Sequence, residues 1–453
     1  MAASARTCQH IELVWPDVPL RGPAFFSFSQ FQVMPQTESS DPNPVRADAD
    51  WPPAVIAGAY RTGVLGVRSL VRRGVRVTSF DSDRRHPGFR SVYGHAHACP
   101  DPDTNPKGWV DFMVKLAGKM GGKPALIPSA DVFVSAIAAH SSRLADHYII
   151  SPGVPLQGLL ATKRTQYELA AKHGMPLPRT QFVKSAEEVA AFANTAEFPC
   201  LLKPLHFREW QQFPSGHPLS YAKVSIAQTP TQLLESWRLA SAVNRNAIAQ
   251  EIIQGPDIDK RVYLACYDRG SRRIANAMFR ELRCNPMAFG PASVTEPVID
   301  SETDAVCDGF LRGLGYSGIC EIEMKRDTRD GRVKMIEANA RLTGGGDAAP
   351  YAGVDLCWLH YLDLIGKHPT PVSADGRDFR HIDLRADVGA IFAYRRARLI
   401  SWGDVIQSYK SPRAFFDFDT HDWRYSAETI YRMARSAVRE VISSLRGRSS
   451  TSL

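Results

Sequence analysis

Acidic and amide side chains are concentrated in the stretch GICEIEMKRDTRDGRVKMIEANARLTGGG, residues 318–346. Glu323 lies in its first half, while Glu337, Asn339 and Arg341 alternate with alanines in its second half. Two carboxylates and an amide oxygen form the all-oxygen ligand set that Mg²⁺ prefers when it also binds nucleotide phosphates. Arg341 could then hold a phosphate with its planar guanidinium. These residue types indicate metal-assisted phosphoryl transfer.

We expect this stretch to form a β-hairpin. Its two apolar-rich halves flank a charged loop that ends in Asp-Gly at 330–331, and these residue types tolerate the positive φ angles of a tight reversal. Because side chains alternate between the faces of a strand, pairing would bring Glu323 close to Glu337 and Asn339. A solvated polar strand face remains the alternative, since Glu-x-Asn-x-Arg is a short pattern.

Two lysines upstream are candidates for binding an anion. Lys203 lies in the apolar run Cys200–Pro204, which is typical of a buried strand, and a buried ammonium group is costly unless an anion meets it. Lys163 begins a predicted helix that Thr162 can cap. On its own merits Lys163 is more typical of a solvated lysine, so Lys203 is the stronger candidate.

The 318–346 block resembles the C-terminal half of an ATP-grasp domain, and in particular the carboxylate–amine ligase branch of that superfamily. The resemblance covers residues 54–366. It implies an α/β protein of the α+β ATP-grasp fold, in which an open α/β preATP-grasp domain precedes a two-lobed ATP-grasp domain. It also implies ATP and Mg²⁺ as cofactors, with Mn²⁺ as an alternative metal, and Glu323, Glu337 and Asn339 as metal ligands.

The resemblance further implies how the nucleotide is held. Lys163 and Lys203 would reach the α- and β-phosphates. The segment 247–257 would be the hinge strand that contacts the adenine and the ribose, although its residues alone favour a plain core strand with a Gly-Pro turn. The implied contacts are the side chain of Gln250 and the backbone of Glu251 and Ile253 for adenine, and Asp257, with Asp259 as the alternative, for ribose.

Two further parts of a ligase site follow from the resemblance. A basic residue near 280–283 would contact the γ-phosphate or the acyl phosphate, and Arg283 is the predicted one, although such arginines are usually mere surface charge. A mobile glycine-rich flap would correspond to residues 206–219. Only Gly216 is present there, where several glycines are usual, so the closure geometry differs from the family pattern. A lid that excludes water is still the preferred role.

An earlier βαβ unit allows a different interpretation. The strand 54–58, a following helix and a second strand at 75–80 that ends at Asp81 are typical of an open α/β layer. Asp81 lies where a ribose-binding acid of a dinucleotide site would fall. The glycines at 58, 63 and 66 do not spell G-x-G-x-x-G, so a tight strand-to-helix turn is at least as good an explanation. A carboxylate substrate near this turn is a further hypothesis.

Composition restricts the class of protein. The chain has 453 residues, is 44% hydrophobic and carries a formal net charge of +8. That excess suits anionic small molecules but is too weak to indicate a nucleic-acid partner. The eight cysteines include no C-x-x-C pair, no apolar run is long enough for a membrane span, and no secretory signal is recognisable. We therefore expect a cytoplasmic protein.

The length predicts several units. We expect a poorly ordered N-terminal arm at 1–50, with a short strand near 24–31, the preATP-grasp domain at 51–155, the ATP-grasp domain at 156–368 and a C-terminal extension at 369–453. In the extension, 390–394 has the composition of a strand, and 427–445 is a basic amphipathic helix. Peripheral membrane contact of this helix is an open alternative, although packing against the protein itself is favoured. A homo-oligomer is also possible.

The predicted function is that of an ATP- and Mg²⁺-dependent ligase that joins a carboxylate to an amine through an acyl phosphate, with release of ADP and phosphate. Its partners would be these two small molecules. One alternative is a nucleotide-binding protein of the same fold without turnover, which the irregular flap keeps open. The other is a nicotinamide-dependent oxidoreductase built on the turn at 58–63, which leaves the acidic hairpin unexplained.

Overall fold

The computed structural model describes residues 50–448 except 206, 215, 221, 411, 417 and 420, and the side chains of 207–208 and 436–448 are not described. The N-terminal arm, including the strand expected near 24–31, lies outside the described residues. The strands are β1 (Ala54–Ala57), β2 (Val77–Asp81), β3 (His95–Ala98), β4 (Ala125–Pro128), β5 (Thr180–Val183), β6 (Cys200–Pro204), β7 (Ser225–Ala227), β8 (Ala247–Glu251), β9 (Lys260–Tyr267), β10 (Arg273–Cys284), β11 (Ala292–Pro297), β12 (Gly318–Arg326), β13 (Val333–Asn339), β14 (Val372–Ser373), β15 (Arg380–Ile382) and β16 (Arg413–Phe415).

Helices connect these strands. They are α1 (Arg61–Val71), α2 (Pro106–Gly118), α3 (Asp131–Ala139), α4 (Ser141–Leu144), α5 (Val154–Leu160), α6 (Lys163–Lys172), α7 (Ala186–Ala193), α8 (Phe207–Trp210), α9 (Pro230–Ala240), α10 (Ser301–Gly313), α11 (Leu356–Leu364), α12 (Leu384–Arg396), α13 (Trp402–Ser408) and α14 (Trp423–Arg448). Within the described residues, none of them is long and apolar enough to cross a membrane.

The strands form three sheets. The first is parallel with the order β3-β2-β1-β4. Every residue of β1 and β4 is buried, as expected for a sheet covered on both faces. The second is antiparallel with the order β5-β8-β6-β7. The third runs β13-β12-β9-β10-β11-β15-β16, and β14 pairs with β10. This mixed α/β architecture agrees with the predicted fold class.

The predicted hairpin is confirmed as β12 and β13, which pair in an antiparallel register. The turn after β1 is tight: a Cβ atom on Gly63 would lie 2.0 Å from the carbonyl oxygen of Gly58, and Gly58 has a φ of +123°. Glycine is therefore required at both positions by backbone packing alone. This geometry accounts for the two glycines without a dinucleotide ligand.

The prediction of a strand at 390–394 is wrong, because these residues lie in α12. Asp383 caps that helix by accepting a hydrogen bond from the Ala386 backbone N–H, and Ala390 and Tyr394 form its buried stripe one turn apart. The strand content of this region comes instead from β15 and β16, which extend the third sheet beyond β11. The predicted helix at 427–445 falls within α14. The domain boundaries remain a prediction.

Candidate active site

A cavity of about 1520 Å³ lies where the three sheets and the C-terminal region meet. Most of the residues predicted from the sequence line it, and they come from β6, β8, β12, β13, the start of α6 and the residues just after β8 and β13. These residues are Lys163, Lys203, Gln250, Glu251, Ile253, Glu323, Glu337, Asn339 and Arg341. The predicted residues that are absent from its lining are Arg283, Asp257 and Asp259, the alternative to Asp257.

The hairpin register brings the acidic residues together. Glu323 is paired with Glu337, and Glu321 is paired with Asn339, which donates a hydrogen bond of 3.2 Å from Nδ2 to the Glu321 Oε1 atom. The Glu321 Oε2 atom also accepts a 2.7 Å hydrogen bond from Thr343. The alternation of side chains along two paired strands therefore places three carboxylates and one amide on one wall of the cavity.

These carboxylates are under electrostatic strain. Burial, followed by repulsion from Glu321 and Glu337, raises the pKa of Glu323 to about 8. Burial also raises the pKa of Glu321. Burial and the neighbouring carboxylates thus disfavour the charged form of these groups, and a bound cation would favour it.

Metal binding at this wall would need ligands from outside the protein. Across the part of the chain that the structure describes, no three or more His, Cys, Asp or Glu side chains are close enough to hold a metal ion by themselves. The predicted set has only two carboxylates, Glu323 and Glu337, and one amide oxygen from Asn339. This donor chemistry fits a Mg²⁺ ion that takes its remaining oxygens from phosphates and water.

Lys203 faces the acidic wall from the second sheet. It is 7% exposed, and its ammonium group donates hydrogen bonds to Gln250 Oε1 at 3.0 Å and to the Tyr167 hydroxyl at 3.3 Å. Burial lowers the pKa of Lys203 to about 8, and the charges of Glu337 and Glu323 oppose this shift. A buried lysine without a directly bonded carboxylate is well suited to bind an anion.

The other predicted nucleotide contacts differ in their surroundings. Lys163, at the start of α6, lies 4.0 Å from a Glu337 carboxylate oxygen. Gln250 donates to the Tyr167 hydroxyl at 2.9 Å and to Thr180 at 2.7 Å, and Glu251 accepts a hydrogen bond from the Glu197 backbone N–H. The Gln250 side chain is therefore fixed by neighbours in the same lobe as Lys203.

Asp257, the predicted ribose ligand, is engaged by other groups of the protein. Its carboxylate is 3.0 Å from the Lys260 ammonium group and accepts hydrogen bonds from the Tyr394 hydroxyl and the Ala288 backbone N–H. These contacts join the hinge to α12, and the carboxylate does not line the cavity. The structure gives Asp257 a role in packing the C-terminal region against the hinge.

Arg283 also differs from its predicted role. Its guanidinium is 3% exposed and donates two hydrogen bonds of 2.8 Å to Asp387 and one of 3.0 Å to Ser408. The bidentate pair with Asp387 joins β10 to α12, and the hydrogen bond to Ser408 joins β10 to α13. Arg283 is not among the residues that line the cavity, so the structure does not bring it to the phosphate region.

Arg341 lines the cavity but already has a carboxylate partner. It donates hydrogen bonds of 2.6 and 2.8 Å to Asp131, the first residue of α3, and one of 3.1 Å to Asn339 Oδ1. The Asp131 side chain is half exposed, so solvent weakens this pair. An incoming phosphate can compete for such a guanidinium, and the Asn339 contact keeps Arg341 beside the acidic wall.

Sequence reasoning missed the C-terminal residues of the cavity. His381 lies 3.0 Å from Asp347, and Asp383 accepts a 2.8 Å hydrogen bond from Arg61, whose guanidinium lies 3.8 Å from the centre of the Phe416 ring. A signal was present, since His381 and Asp383 alternate within a short strand-like segment. That pattern did not reveal that the strand of His381, β15, joins the third sheet and that Asp383 caps α12.

The buried charges of β9 and β10 were missed as well. Lys260 donates a 3.1 Å hydrogen bond to Glu281, and both line the cavity next to Lys325. Burial raises the pKa of Glu281 and lowers the pKa of Lys325 to about 8. Lys260, Glu281 and Lys325 therefore extend the charged lining of the cavity from β12 across β9 and β10.

The segment expected to be a flap is anchored in the core of the second sheet's lobe. Trp210, Phe213 and Leu219 are at most 5% exposed and belong to the same apolar cluster as β6 and β8. The Phe213 and His217 rings stack with a centroid distance of 4.0 Å.

The sequence is similar to those of two curated ligases. No family model matches the sequence. The chain is 26% identical over 278 residues to D-aspartate ligase of Enterococcus faecium, a match that covers 58% of this chain and 64% of that enzyme. It is 25% identical over 251 residues to D-alanine–D-alanine ligase of Pseudomonas fluorescens, which covers 50% of this chain and 69% of that enzyme.

Solved structures share the fold. The biotin carboxylase domain of Hydrogenobacter thermophilus 2-oxoglutarate carboxylase, determined with MgADP, matches with a TM-score of 0.55 at 14% identity over 71% of each chain. N5-carboxyaminoimidazole synthetase from Staphylococcus aureus matches with a TM-score of 0.54 at 14% identity, over 72% of this chain and 80% of that one. At such identities the likeness concerns the fold alone.

The chain has the fold of ATP-grasp enzymes, as the resemblance of the 318–346 block implied. Its sequence is distantly similar to D-aspartate ligase and D-alanine–D-alanine ligase.

Proposed function

We propose that this protein is an ATP- and Mg²⁺-dependent ligase that joins a carboxylate to an amine. The observation that carries the proposal is the acidic wall of β12 and β13 facing the buried Lys203 across one cavity. The distant relationship to two amino-acid ligases supports the reaction class, and it favours an amino acid as one of the substrates.

The residues have distinct roles in this proposal. Lys203 and Lys163 neutralise phosphate charge, and Arg341 orients the phosphate that is transferred. Glu323, Glu337 and Asn339 hold Mg²⁺, which when bound lowers the charge on the phosphate oxygens. Gln250 and the backbone of Glu251 and Ile253 position the base.

The reaction would proceed in two displacements. A carboxylate oxygen of the first substrate bonds to the γ-phosphorus, and ADP leaves with the electrons of the broken P–O bond. The amine of the second substrate then attacks the acyl carbon, and phosphate leaves as the C–N bond forms and the nitrogen loses a proton. Positioning and electrostatics are sufficient for both steps, so no covalent nucleophile of the protein is needed.

The experiment that tests this function uses purified protein with Mg²⁺-ATP and pooled carboxylates and amino acids of both configurations. We expect ADP release that depends on both substrate pools, together with a product whose mass equals the sum of its two substrates minus water. ATP binding without ADP release under any pool would favour a nucleotide-binding protein without turnover. Binding of NAD in place of ATP would favour an oxidoreductase.

A further inference from the structure

A group of large apolar side chains is exposed on α12, α13 and the turn between them. These are Val388, Phe392, Leu399, Trp402 and Ile406, with exposed fractions of 52%, 64%, 46%, 53% and 55%. Single exposed apolar residues need no explanation, but five within 19 consecutive residues form a concentrated surface. We call this group the α12–α13 surface.

The α12–α13 surface is continuous across the two helices. Phe392 lies one helical turn after Val388, and Ile406 lies one turn after Trp402, so each pair shares a face. The Arg395 guanidinium lies 5.3 Å from the centre of the Trp402 ring and joins the helices at this face. The opposite faces are buried, as Ala390, Tyr394 and Val405 are, so the exposed side chains are not simply those of a loosely packed segment.

The charges around this surface are strongly biased toward positive. Arg396, Arg398 and Lys410 are exposed beside it, whereas Asp387 is completely buried in its pair with Arg283. Asp404 is occupied by the capping box of α13, in which it accepts hydrogen bonds from the Ser401 backbone N–H and hydroxyl group. The segment therefore presents apolar and basic side chains outward and turns its acidic groups inward or into a cap.

We propose that the α12–α13 surface docks on an anionic phospholipid bilayer. Aromatic and aliphatic side chains with flanking arginines match the boundary between lipid headgroups and acyl chains. Basic residues next to them are attracted to negatively charged lipid. A second copy of this chain fits less well, because a two-fold contact through this surface would place the same arginines against each other.

This docking site is separate from the proposed catalysis. None of the five apolar residues lines the cavity, although Arg385 and Ala386 at the beginning of α12 do. The bilayer would therefore lie beside the rim of the cavity without contacting its acidic wall. The proposal also places membrane contact on α12 and α13, whereas the sequence pattern suggested the final helix.

Co-sedimentation of the full chain with vesicles tests the proposal. One set of vesicles is phosphatidylcholine alone, and the other contains phosphatidylglycerol in addition. We expect binding to the anionic vesicles that weakens as salt rises, and a drop of about tenfold or more in the partition coefficient for the double variant F392S/W402S. The matched control is Ile299→Ser, which changes an 85% exposed residue outside the surface and should bind as the unaltered protein does.

A second variant separates charge from apolar contact. Arg398 has a positive φ of 57°, which asparagine tolerates, so the double variant R398N/K410Q should fold normally and bind anionic vesicles more weakly. Thermal unfolding of every variant checks that the fold is retained. Absence of binding to anionic vesicles at low salt would overturn the proposal, as would equal losses in Ile299→Ser and F392S/W402S. A dimer in light scattering that F392S/W402S converts to monomer would overturn it in favour of a second copy.

Discussion

Lys203 is buried, and the hydrogen bonds of its ammonium group go to neutral oxygens. The acceptors are the Gln250 Oε1 atom and the Tyr167 hydroxyl, and neither of them carries a charge. Burial lowers its pKa to about 8 as a result. In the free protein Lys203 therefore loses its proton near pH 8, whereas a phosphate would bind the protonated form.

The affinity for nucleotide should depend on pH through this group. Below pH 8 Lys203 is already protonated, so its contribution is constant. Above that pH it must first gain a proton to bind the phosphates, so affinity should fall by about tenfold per pH unit until the group no longer contributes. Calorimetric titration of ATP from pH 6.5 to 9.5 measures this dependence.

The variant Lys203→Arg provides the control, because its guanidinium stays charged over this range. We expect its affinity to fall less steeply above pH 8 than that of the unaltered protein, since Glu323 and Lys325 of the same cavity also titrate near pH 8. A fall in affinity of the same steepness in Lys203→Arg would show that another group controls binding.

At this scale the sequence was informative about the site and less so about its surroundings. The cluster of Glu323, Glu337 and Asn339 followed from alternation along two strands joined by a readable turn. Asp257 and Arg283 could not be assigned in the same way, since their partners Tyr394 and Asp387 lie more than one hundred residues later in the chain. Contacts of that sequence separation leave no local pattern.

At the scale of elements, α12 shows how a short apolar run misleads. Residues 390–394 fit a buried strand by composition, but only Ala390 and Tyr394 are buried, at helical spacing. Asp383, which precedes α12, is a helix-capping residue and supports the assignment of a helix. The strands β15 and β16 are only three residues long, and strands that short carry too few alternations to be recognised.

The pair of Arg283 with Asp387 should stabilise the contact of β10 with α12. Replacing Arg283 by Met leaves Asp387 buried with only neutral donors, so the free energy of unfolding should fall by about 3–5 kcal/mol. Urea denaturation measures this loss.

The double variant R283M/D387L tests whether the loss comes from the uncompensated charge. It should recover part of the stability, because it removes the buried carboxylate as well. Unchanged stability of Arg283→Met combined with lost turnover would instead support the phosphate contact expected from the sequence.

At the scale of the whole molecule, the C-terminal region is built into the sheet and the cavity that contain the acidic residues of β12 and β13. It adds β15 and β16 to the sheet that carries the acidic wall, and it supplies His381, Asp383 and Phe416 to the cavity. It also reaches the first sheet's helix α1, where Arg68 lies 3.1 Å from Asp422 and 3.3 Å from Asp419. These buried ion pairs connect the two ends of the described chain.

Asp422 should therefore be important for stability although it is remote from the cavity. Its carboxylate accepts hydrogen bonds from Arg68, from the Ser91 hydroxyl at 2.6 Å and from the Val92 backbone N–H at 2.9 Å. The substitution Asp422→Ala removes an acceptor from the buried Arg68, which keeps Asp419, and from the part-buried bonds of Ser91 and Val92, so we expect a loss of about 1–3 kcal/mol in unfolding free energy. Chemical denaturation gives the value.

A matched surface variant is Asp378→Ala, since the Asp378 side chain is 74% exposed in its pair with Arg380. It should change stability by less than about 1 kcal/mol. Equal effects of the two substitutions would contradict the role given to the buried pair.

The proposed function requires that the wall formed by β12 and β13 bind Mg²⁺ together with nucleotide phosphates. Calorimetric titration of ATP with and without Mg²⁺ tests it most directly, in the unaltered protein, in Glu337→Gln and in the control Glu302→Gln, which changes an exposed glutamate of α10. We expect Mg²⁺ to tighten ATP binding in the unaltered protein and the control, and this gain to be lost in Glu337→Gln. Binding that ignores Mg²⁺, or an undiminished Mg²⁺ effect in Glu337→Gln, would contradict the claim.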